Sequence, residues 1–537
     1  MSSNPIHLQR FTSFFGIVLT IICFFSDRAE AQLSSKQIRP RIVITADPEL
    51  DDNNSLIRFL LYSSDLQIEG LIYASSGFHW KGDGKGTKWF VPGREYARFG
   101  LDTCPCESWR WAKNERFIHN AVEAYEKVYP NLKVHNQNYP APEELKSKIR
   151  YGNIEFDGEI SKNSPGSDLI RSLMLDDKPG PLFITAWGGQ STIARALKAI
   201  QEQYEYTTEW ESIKEKISRK VVLLPSGDQD DTYATYIKPN WPEIDYRQFR
   251  GGPNYGYGAQ LGAKQQDSVY LTSSWMKENI TDRGPLGALY RVWGDGKQMV
   301  KGDKMDYFGI AGKSNAELKK MGHVVWMPVQ QKGSWLGEGD DFTFMNMPGN
   351  GLRAYEAGSY GGWGGREANK KAAPDFSFSA PGDTSAGAMA KKLSTVNSEL
   401  NKNAKDIAYP DFFPAAQHDF EARLKWSVTA LYKNANHQPV ANIEGPQSIL
   451  ASAGQKIRLN AAVSDPDGDA VSIKWWQFRV GSYPNKVEIS NPTAEKTEIF
   501  IPKDAAGGQT IHIILEATDN GTPNLTSYQR IIITVKN

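Results

Sequence analysis

Cysteine is scarce in this sequence, its charge has no net sign, and its apolar runs are short. Three of the 537 residues are cysteine. Cys23 lies in an amino-terminal apolar run, while Cys104 and Cys106 are separated by one residue, a spacing at which a bridge between them is strained. No second Cys or His pair stands at zinc-ligand spacing. The two cysteines therefore read as local to a loop, in a chain not held together by disulfides. The 62 Lys and Arg balance 62 Asp and Glu, so the positive field that nucleic acid or an anionic membrane demands is missing. The apolar run over residues 14–25 is too short to span a bilayer. No repeat of solenoid period is present.

What is present is a globular composition, 40 % hydrophobic and 23 % charged, with 15 Trp and 23 Tyr. Flat aromatic surface of that extent suits sugar stacking, although most aromatic side chains pack in cores. Arg10, the apolar run and Ala29-Glu30-Ala31 follow the basic, apolar, small-x-small order of a secretory signal. Cleavage is expected between Ala31 and Gln32, giving a secreted or periplasmic protein with no membrane partner and 60 charges of each sign. Residues 42–44 are a β-branched run, followed by a helix with Leu56, Ile57, Leu60 and Leu61 on one stripe, then a strand over 66–74. The alternation repeats: Ser167 caps a helix, residues 181–185 form a strand, 192–200 a helix and 221–224 a strand. Alternating strands and helices predict a mostly parallel α/β sheet, which binds ligands at the carboxyl ends of its strands. Residues 78–116 and 226–315 read as Gly-, Trp- and Tyr-rich insertions around that site. Beyond about residue 435 the helical period vanishes, and alternating segments with Asp-Gly and Asn-Gly turns predict an immunoglobulin-like β-sandwich. The expected division is a signal at 1–31, an α/β domain over 38–432 and a sandwich over 433–537.

The segment after the first strand places Asp47, Glu49, Asp51 and Asp52 within six residues. Bare, these carboxylates repel one another, and a hard divalent cation such as Ca²⁺ offsets that repulsion. A solvated turn with acids at a helix N-terminus is the other reading, since the helix dipole also favours them.

The Asp-Pro-x-x-Asp-Asp core at 47–52, with its apolar helix and the Glu-Gly-Leu-Ile strand at 69–72, resembles the amino-terminal signature of nucleoside hydrolases. Residues 167–197, with Trp187-Gly188-Gly189-Gln190-Ser191-Thr192, resemble a second strand-turn-helix of that family. Nearer still is its secreted branch of cellulose-binding, nucleoside-hydrolase-like proteins with an immunoglobulin-like carboxyl-terminal domain. That branch's hallmarks stand at 226–231, 333–340, 360–366 and 436–439. The resemblance implies a Ca²⁺ site with Asp47, Asp51, Asp52, the Trp187 carbonyl and Asp340 as ligands. It also implies Asp51 as general base toward a water that attacks an anomeric carbon, through an oxocarbenium-like transition state. Two positions depart from the pattern: Glu49 stands where nucleoside hydrolases have Gly, and Gly339 where many have the His that precedes the distal Asp.

Around this centre, His79 and Trp80 follow the second strand, and Asp230 and Asp231 follow the strand at 221–224. All four are expected to line a substrate site, as are Trp335 and Glu338 in the Gly-rich loop before Asp340. Each has a structural alternative: a satisfied core His, a solvated turn, a loop-packing Trp, or a carboxylate that only supports its neighbours. In the sandwich, Asp465-Pro466-Asp467-Gly468-Asp469 and the segment around Asp519 resemble calcium-binding turns of cadherin-like domains, and are also good hairpin chemistry. Two functions compete. One is an exported Ca²⁺-dependent glycosidase acting on a carbohydrate or nucleoside-like molecule, and the other is a non-catalytic binder of insoluble polysaccharide.

Overall fold

Residues 41–46 are buried along their whole length, as a strand covered on both faces requires. This strand, β1 (Arg41–Ala46), is central in a six-stranded parallel sheet. The computed structural model describes residues 39–367, except Asp102, and residues 409–537. The expected signal segment therefore lies outside the described residues. Among those described, no helix is long and apolar enough to cross a membrane.

The sheet runs β3 (Ile149–Tyr151), β2 (Gln67–Tyr73), β1, β4 (Leu182–Ala186), β5 (Val221–Pro225), β6 (Asp245–Tyr246). Its main helices are α1 (Leu50–Leu61), α2 (Phe117–His135), α3 (Pro165–Leu175), α4 (Ser191–Tyr204) and α5 (Trp210–Lys220). The stripe of Leu56, Ile57, Leu60 and Leu61 is wholly buried. The cap of α3 is Ser164 rather than Ser167. Ser167 sits three residues later and closes a reciprocal capping box, because Pro165 takes the first helical position. Strands β2 and β4 flank β1 on opposite sides, so the strand order reverses beside β1 and opens a crevice at the carboxyl ends. Backbone bonds draw the loops there together: Ala74 N to Ala46 O (2.8 Å), Trp187 N to Thr45 O (2.8 Å) and Gly189 N to Ser75 O (2.9 Å).

The first insertion folds around a small aromatic core of Trp80, Tyr96, Trp109 and Phe156. Its cysteines do pair. Cys104 and Cys106 form a disulfide, against the expectation from their spacing, because the loop doubles back at Pro105 and brings their Cα atoms to 4.3 Å.

After α6 (Phe413–Ser427) come the strands of a two-sheet sandwich. Two short strands in the large domain, β7 (Phe249–Arg250) and β8 (Arg366–Glu367), precede them. One sandwich sheet orders β10 (Ser448–Ala451), β16 (Thr526–Val535), β15 (Thr510–Thr518) and β12 (Ser472–Phe478). The other orders β13 (Glu488–Ile489), β14 (Lys496–Phe500), β11 (Lys456–Ser464) and β9 (Val440–Ile443). Trp475 fills the sandwich core, whereas Trp476, on the opposite face of β12, packs against the core of the large domain. That core runs on into the sandwich through Phe478, Ile514 and Tyr528, which join Trp363 and Phe412. The Gly-rich strip at 360–366 is where the two meet: buried Arg530 donates to the carbonyls of Tyr360 (2.9 Å) and Gly361 (2.8 Å).

Candidate functional site

Asp47 directly follows β1 at the crevice, and Asp51 and Asp52 occupy the first turn of α1, where the helix dipole favours negative charge. Asp340 arrives on the loop after Trp335 and donates its backbone N–H to Ser55 Oγ of α1 (3.3 Å). Asp51, Asp52 and Asp340 each offer a carboxylate oxygen within 4.8 Å of the others. Asp47 joins them through its backbone N–H, which donates to Asp52 Oδ1 (3.0 Å). Its own Oδ2 accepts from Ser76 Oγ and from His79 Nδ1 (3.2 Å). Two oxygens in this group, Asp47 Oδ1 and Asp340 Oδ2, are buried with no hydrogen-bond partner among the described residues.

The electrostatics follow from the burial. Desolvation, then the charge of Asp340 and Asp47, pushes the Asp52 carboxyl well above its ordinary range. Desolvation followed by the charges of Asp51 and Asp47 does the same to Asp340. Asp51 rises to about 6, mainly by desolvation, which a hydrogen bond from Tyr257 Oη (3.1 Å) partly offsets. Asp47, Asp52 and Asp340 are at most 2 % exposed, whereas Asp51 is half-buried and reaches solvent. Glu49 stands at the same rim, and burial with the Asp51 charge raises its carboxyl too. Gly339 also has a physical reason here. A Cβ at that position would lie 2.0 Å from Asp51 Oδ2, so any side chain, including the His of many nucleoside hydrolases, would require the Asp51 carboxylate to shift. A Cβ on Gly188 would likewise come within 2.8 Å of Asp47.

The other expected residues divide. His79 is buried against Asp47, and burial lowers its basicity. Because its Nδ1 faces a carboxylate, Nδ1 carries the proton of the neutral ring. The Trp187 carbonyl accepts from Gln229 Nε2 (2.6 Å) and its indole donates to Thr343 Oγ1 (2.9 Å). Trp80 and Trp335 have no exposed surface, so neither offers a face to a sugar; both pack loops instead. Asp230 is a helix cap, not a ligand-facing acid: its Oδ2 accepts from Ser191 N of α4 (2.8 Å) and its Oδ1 from Thr232 Oγ1 (2.6 Å). Asp231 keeps some exposure and pairs with Arg94 (3.0 Å). Glu338 is wholly buried, 2.5 Å from Arg58 Nε, and accepts from Tyr290 Oη (2.6 Å). It is a support for the Asp340 loop rather than a substrate contact.

Beside the carboxylates, a cavity of about 530 Å³ is lined by Phe249, Asn254, Tyr255, Gly339, Asp411 and Phe412, among others. It touches the loop that presents Asp340, and its Asn254–Gly256 wall leads directly to Tyr257, the partner of Asp51.

This fold and crevice match a described family. A family model for the cellulose-binding Sde182, nucleoside-hydrolase-like domain fits residues 41–366, more than half of the chain. The chain belongs to the Sde182 family. The model of the same family's carboxyl-terminal domain fits residues 456–535. Among solved structures, a nucleoside hydrolase-related hypothetical protein from Saccharophagus degradans, associated with carbohydrate metabolism, is 25 % identical. It aligns with a TM-score of 0.65 over 93 % of this chain and 100 % of that one. The effector protein XOO4466 is 11 % identical with a TM-score of 0.29, covering 62 % of this chain and 86 % of its own. No curated protein matches the chain.

Within this Sde182-family site, sequence reasoning missed Tyr257, Ser76, Gln229 and Arg58. Arg58 did leave a signal, as a charge inside an otherwise apolar helical stripe. Ser76 stands in the short Ser75-Ser76-Gly77 turn between β2 and His79. Tyr257 and Gln229 lie in long insertions whose sequence has no period to place them.

Proposed function

We propose that this protein is an exported, Ca²⁺-dependent glycosidase of nucleoside-hydrolase type, cleaving an N-glycosidic or related bond in a glycan-derived substrate. The observation that carries this reading is the pair of orphaned, buried oxygens, Asp47 Oδ1 and Asp340 Oδ2, beside a solvent-reached Asp51. Buried carboxylates without partners are costly, and the glycines at 188 and 339 keep room around them. An all-oxygen donor set of this kind fits a hard divalent cation. Asp47, Asp51, Asp52 and Asp340 would hold it, with the second lone pair of the Trp187 carbonyl. When bound, the cation supplies Lewis-acid activation of water. The chain's own residues do the rest. Asp51, the one of these acids that solvent reaches, is placed to accept a proton from a water at the crevice. Tyr257 fixes the direction of its carboxylate, and Ser76 and His79 fix that of Asp47. The adjoining cavity has the volume of a small-ligand site and the mixed aromatic and polar lining a sugar ring needs. The Cys104–Cys106 disulfide supports an oxidising compartment, and hence export.

A second reading, a non-catalytic polysaccharide binder on the same scaffold, is favoured by the family's cellulose-binding description and by Gly339 in place of His. Reducing-sugar release from nucleosides, aryl glycosides and plant or algal polysaccharides, with Ca²⁺ and with chelator, separates the two. The glycosidase reading expects calcium-dependent release that Asp51→Asn abolishes while its thermal unfolding stays cooperative. Release that survives Asp51→Asn sinks the mechanism, and no release alongside retention on insoluble glycan favours the binder.

A further inference from the structure

The cavity has an acidic end that the chemistry of the crevice leaves unused. Asp267, on the short helical segment Gln265–Leu271, lines it and is 3 % exposed. Its Oδ1 is buried with no hydrogen-bond partner among the described residues. Asp411, just ahead of α6, lines the same cavity, and the two carboxyl groups are within reach of one another. Burial, then the Asp411 charge and a hydrogen bond to Asp411, raise the Asp267 carboxyl to about 6. Lys264, whose charge Asp267 also feels, turns its ammonium to Asp411 Oδ2 (2.5 Å) instead. Asp267 is thus a buried acid beside a second acid, an arrangement that costs stability. The apolar side chains that share the cavity wall, Leu271, Phe412 and Phe413, bring no donor to it.

The charges at this end narrow what satisfies it. Two carboxylates repel an anion, and the Lys264 ammonium beside them opposes a metal ion or a second ammonium. The donor that fits is a neutral hydroxyl, and a carboxylate accepts more than one of these through its lone pairs. Two acids on neighbouring segments therefore match neighbouring hydroxyls on one ring. The rest of the cavity leaves room for such a ring. A Cβ on Gly251 would meet nothing within 4 Å, and one on Gly256 or Gly262 would meet its nearest atoms only at 3.7 and 3.8 Å. Bare glycine on one side and aromatic walls on the other suit a flat, polyhydroxylated molecule.

We propose that Asp267, with Asp411 beside it, sets the specificity of the cavity: the pair accepts hydrogen bonds from neighbouring hydroxyls of a neutral sugar, and it rejects uronic acids and other anionic sugars. This rests on the cavity being the sugar site of the proposed function, but on neither the cation nor turnover. The two acids have different parts. Asp411 is the more exposed and is held by Lys264, whereas Asp267 is the buried acceptor that a ligand must satisfy.

Isothermal titration calorimetry of the full chain with glucose, xylose, ribose, cellobiose and glucuronate tests this, read together with thermal unfolding. At least one of the neutral sugars should bind, about tenfold or more tighter than glucuronate, and Asp51→Asn should keep that affinity. Asp267→Asn should weaken it about tenfold or more, the difference between a charged and a neutral acceptor. Its melting temperature should hold or rise, because a buried charge beside another is removed; a purely structural acid would lower it and leave sugar affinity unchanged. Should Asp267→Asn fail to fold, Asp411→Asn, at the more exposed position, carries the same expected loss of affinity. Gly262→Leu, which fills the cavity and leaves both acids in place, should abolish binding. The inference is overturned if none of the four neutral sugars binds, if the acid variants bind them unchanged, or if glucuronate binds as tightly as the best of them. Calcium-dependent sugar release with an unchanged KM in Asp267→Asn also overturns it and spares the proposed function. Neutral-sugar binding that Asp267→Asn loses, in a chain that releases no sugar from any substrate, does the reverse.

Discussion

Arg58 supports the crevice from below, and removing its charge tests the electrostatic account of the site. It lies two turns after Asp51 on α1 and has no exposed surface. Its Nε is 2.5 Å from Glu338 Oε2 and 2.8 Å from Asp341 Oδ2, and both carboxylates are also fully buried. It further donates to Ala416 O (3.2 Å) and Gln417 Oε1 (2.6 Å), and its guanidinium sits 3.9 Å from the Phe420 ring centre. Arg58→Met keeps the apolar stem and strands two acids in the core. Breaking a buried pair from one side costs about 3–5 kcal/mol. With an unfolding entropy of about 2.1 cal/mol/K per residue over roughly 330 residues, about 4 kcal/mol lowers the melting temperature by ~6 °C. The loss also has a pH signature. A stranded carboxylate becomes neutral by taking a proton, so its folded-state pKa rises above the unfolded value and the penalty grows with pH. Differential scanning calorimetry at pH 5 and pH 8 should find the larger deficit at pH 8. Adding Glu338→Gln should recover part of it, because one stranded charge is gone. A fall under about 2 °C with no pH dependence would mean that the triad is solvated, and the argument from burial fails.

Two further perturbations follow. In the metal-free chain, Asp51 binds a proton more readily folded (about 6) than unfolded (3.8), so stability is undiminished below about pH 4 and falls as pH rises through 6. Asp51 alone accounts for a loss of about 3 kcal/mol from pH 3 to neutrality, of which about 1.4 kcal/mol falls between pH 5 and 7.5, where thermal melts in chelator should register it and a bound divalent cation should reverse it. At the sandwich junction, Gly351 has a φ of +88°, and a Cβ there would fall 1.6 Å from Tyr528 O. Gly351→Ala should cost about 3 kcal/mol or more in urea unfolding and expose residues 435–440 to protease. Gly312→Ala, with φ +68° and nothing within 4 Å of its Cβ, is the control at about 1 kcal/mol.

The sheet was legible because its signals are local. A β-branched run, an apolar stripe and a returning strand fix β1, α1 and β2 within 33 residues, and Asp47, Asp51 and Asp52 lie inside that unit. Asp340 is almost 300 residues further on, and only the family resemblance joined it to them. The aromatic residues misled for a physical reason. A Trp beside glycines has the same sequence whether it lies on a surface or plugs a loop, and Trp80 and Trp335 both plug loops. Asp230 carried the same ambiguity, since an acid after a strand serves equally as a ligand-facing group or as an acceptor for the amino terminus of a neighbouring helix, here α4. The cysteine spacing misled because it carries no information about the turn at Pro105.

The burial of those tryptophans constrains any account of glycan recognition. Trp80, Trp187, Trp241, Trp293, Trp335, Trp363, Trp426 and Trp475 are all within 2 % of complete burial. The well-exposed aromatic residues among those described, Phe90, Tyr151, Tyr206 and Tyr432, come from separate parts of the chain and include no Trp. Tyr432 is moreover stacked on His437 at 3.6 Å between ring centres, so one of its faces is taken. Among the described residues, therefore, no Trp presents a well-exposed face of the kind that grips crystalline polysaccharide. Four aromatic rings do gather around the cavity beside the Asp340 loop, where Phe249, Tyr255, Phe412 and Phe413 form walls around polar groups. A cavity of that size admits a chain end or a short oligosaccharide, and it excludes the middle of a packed fibre. Substrates with free ends should accordingly be preferred over crystalline cellulose, with soluble oligosaccharide competing fully for whatever the protein retains on an insoluble glycan.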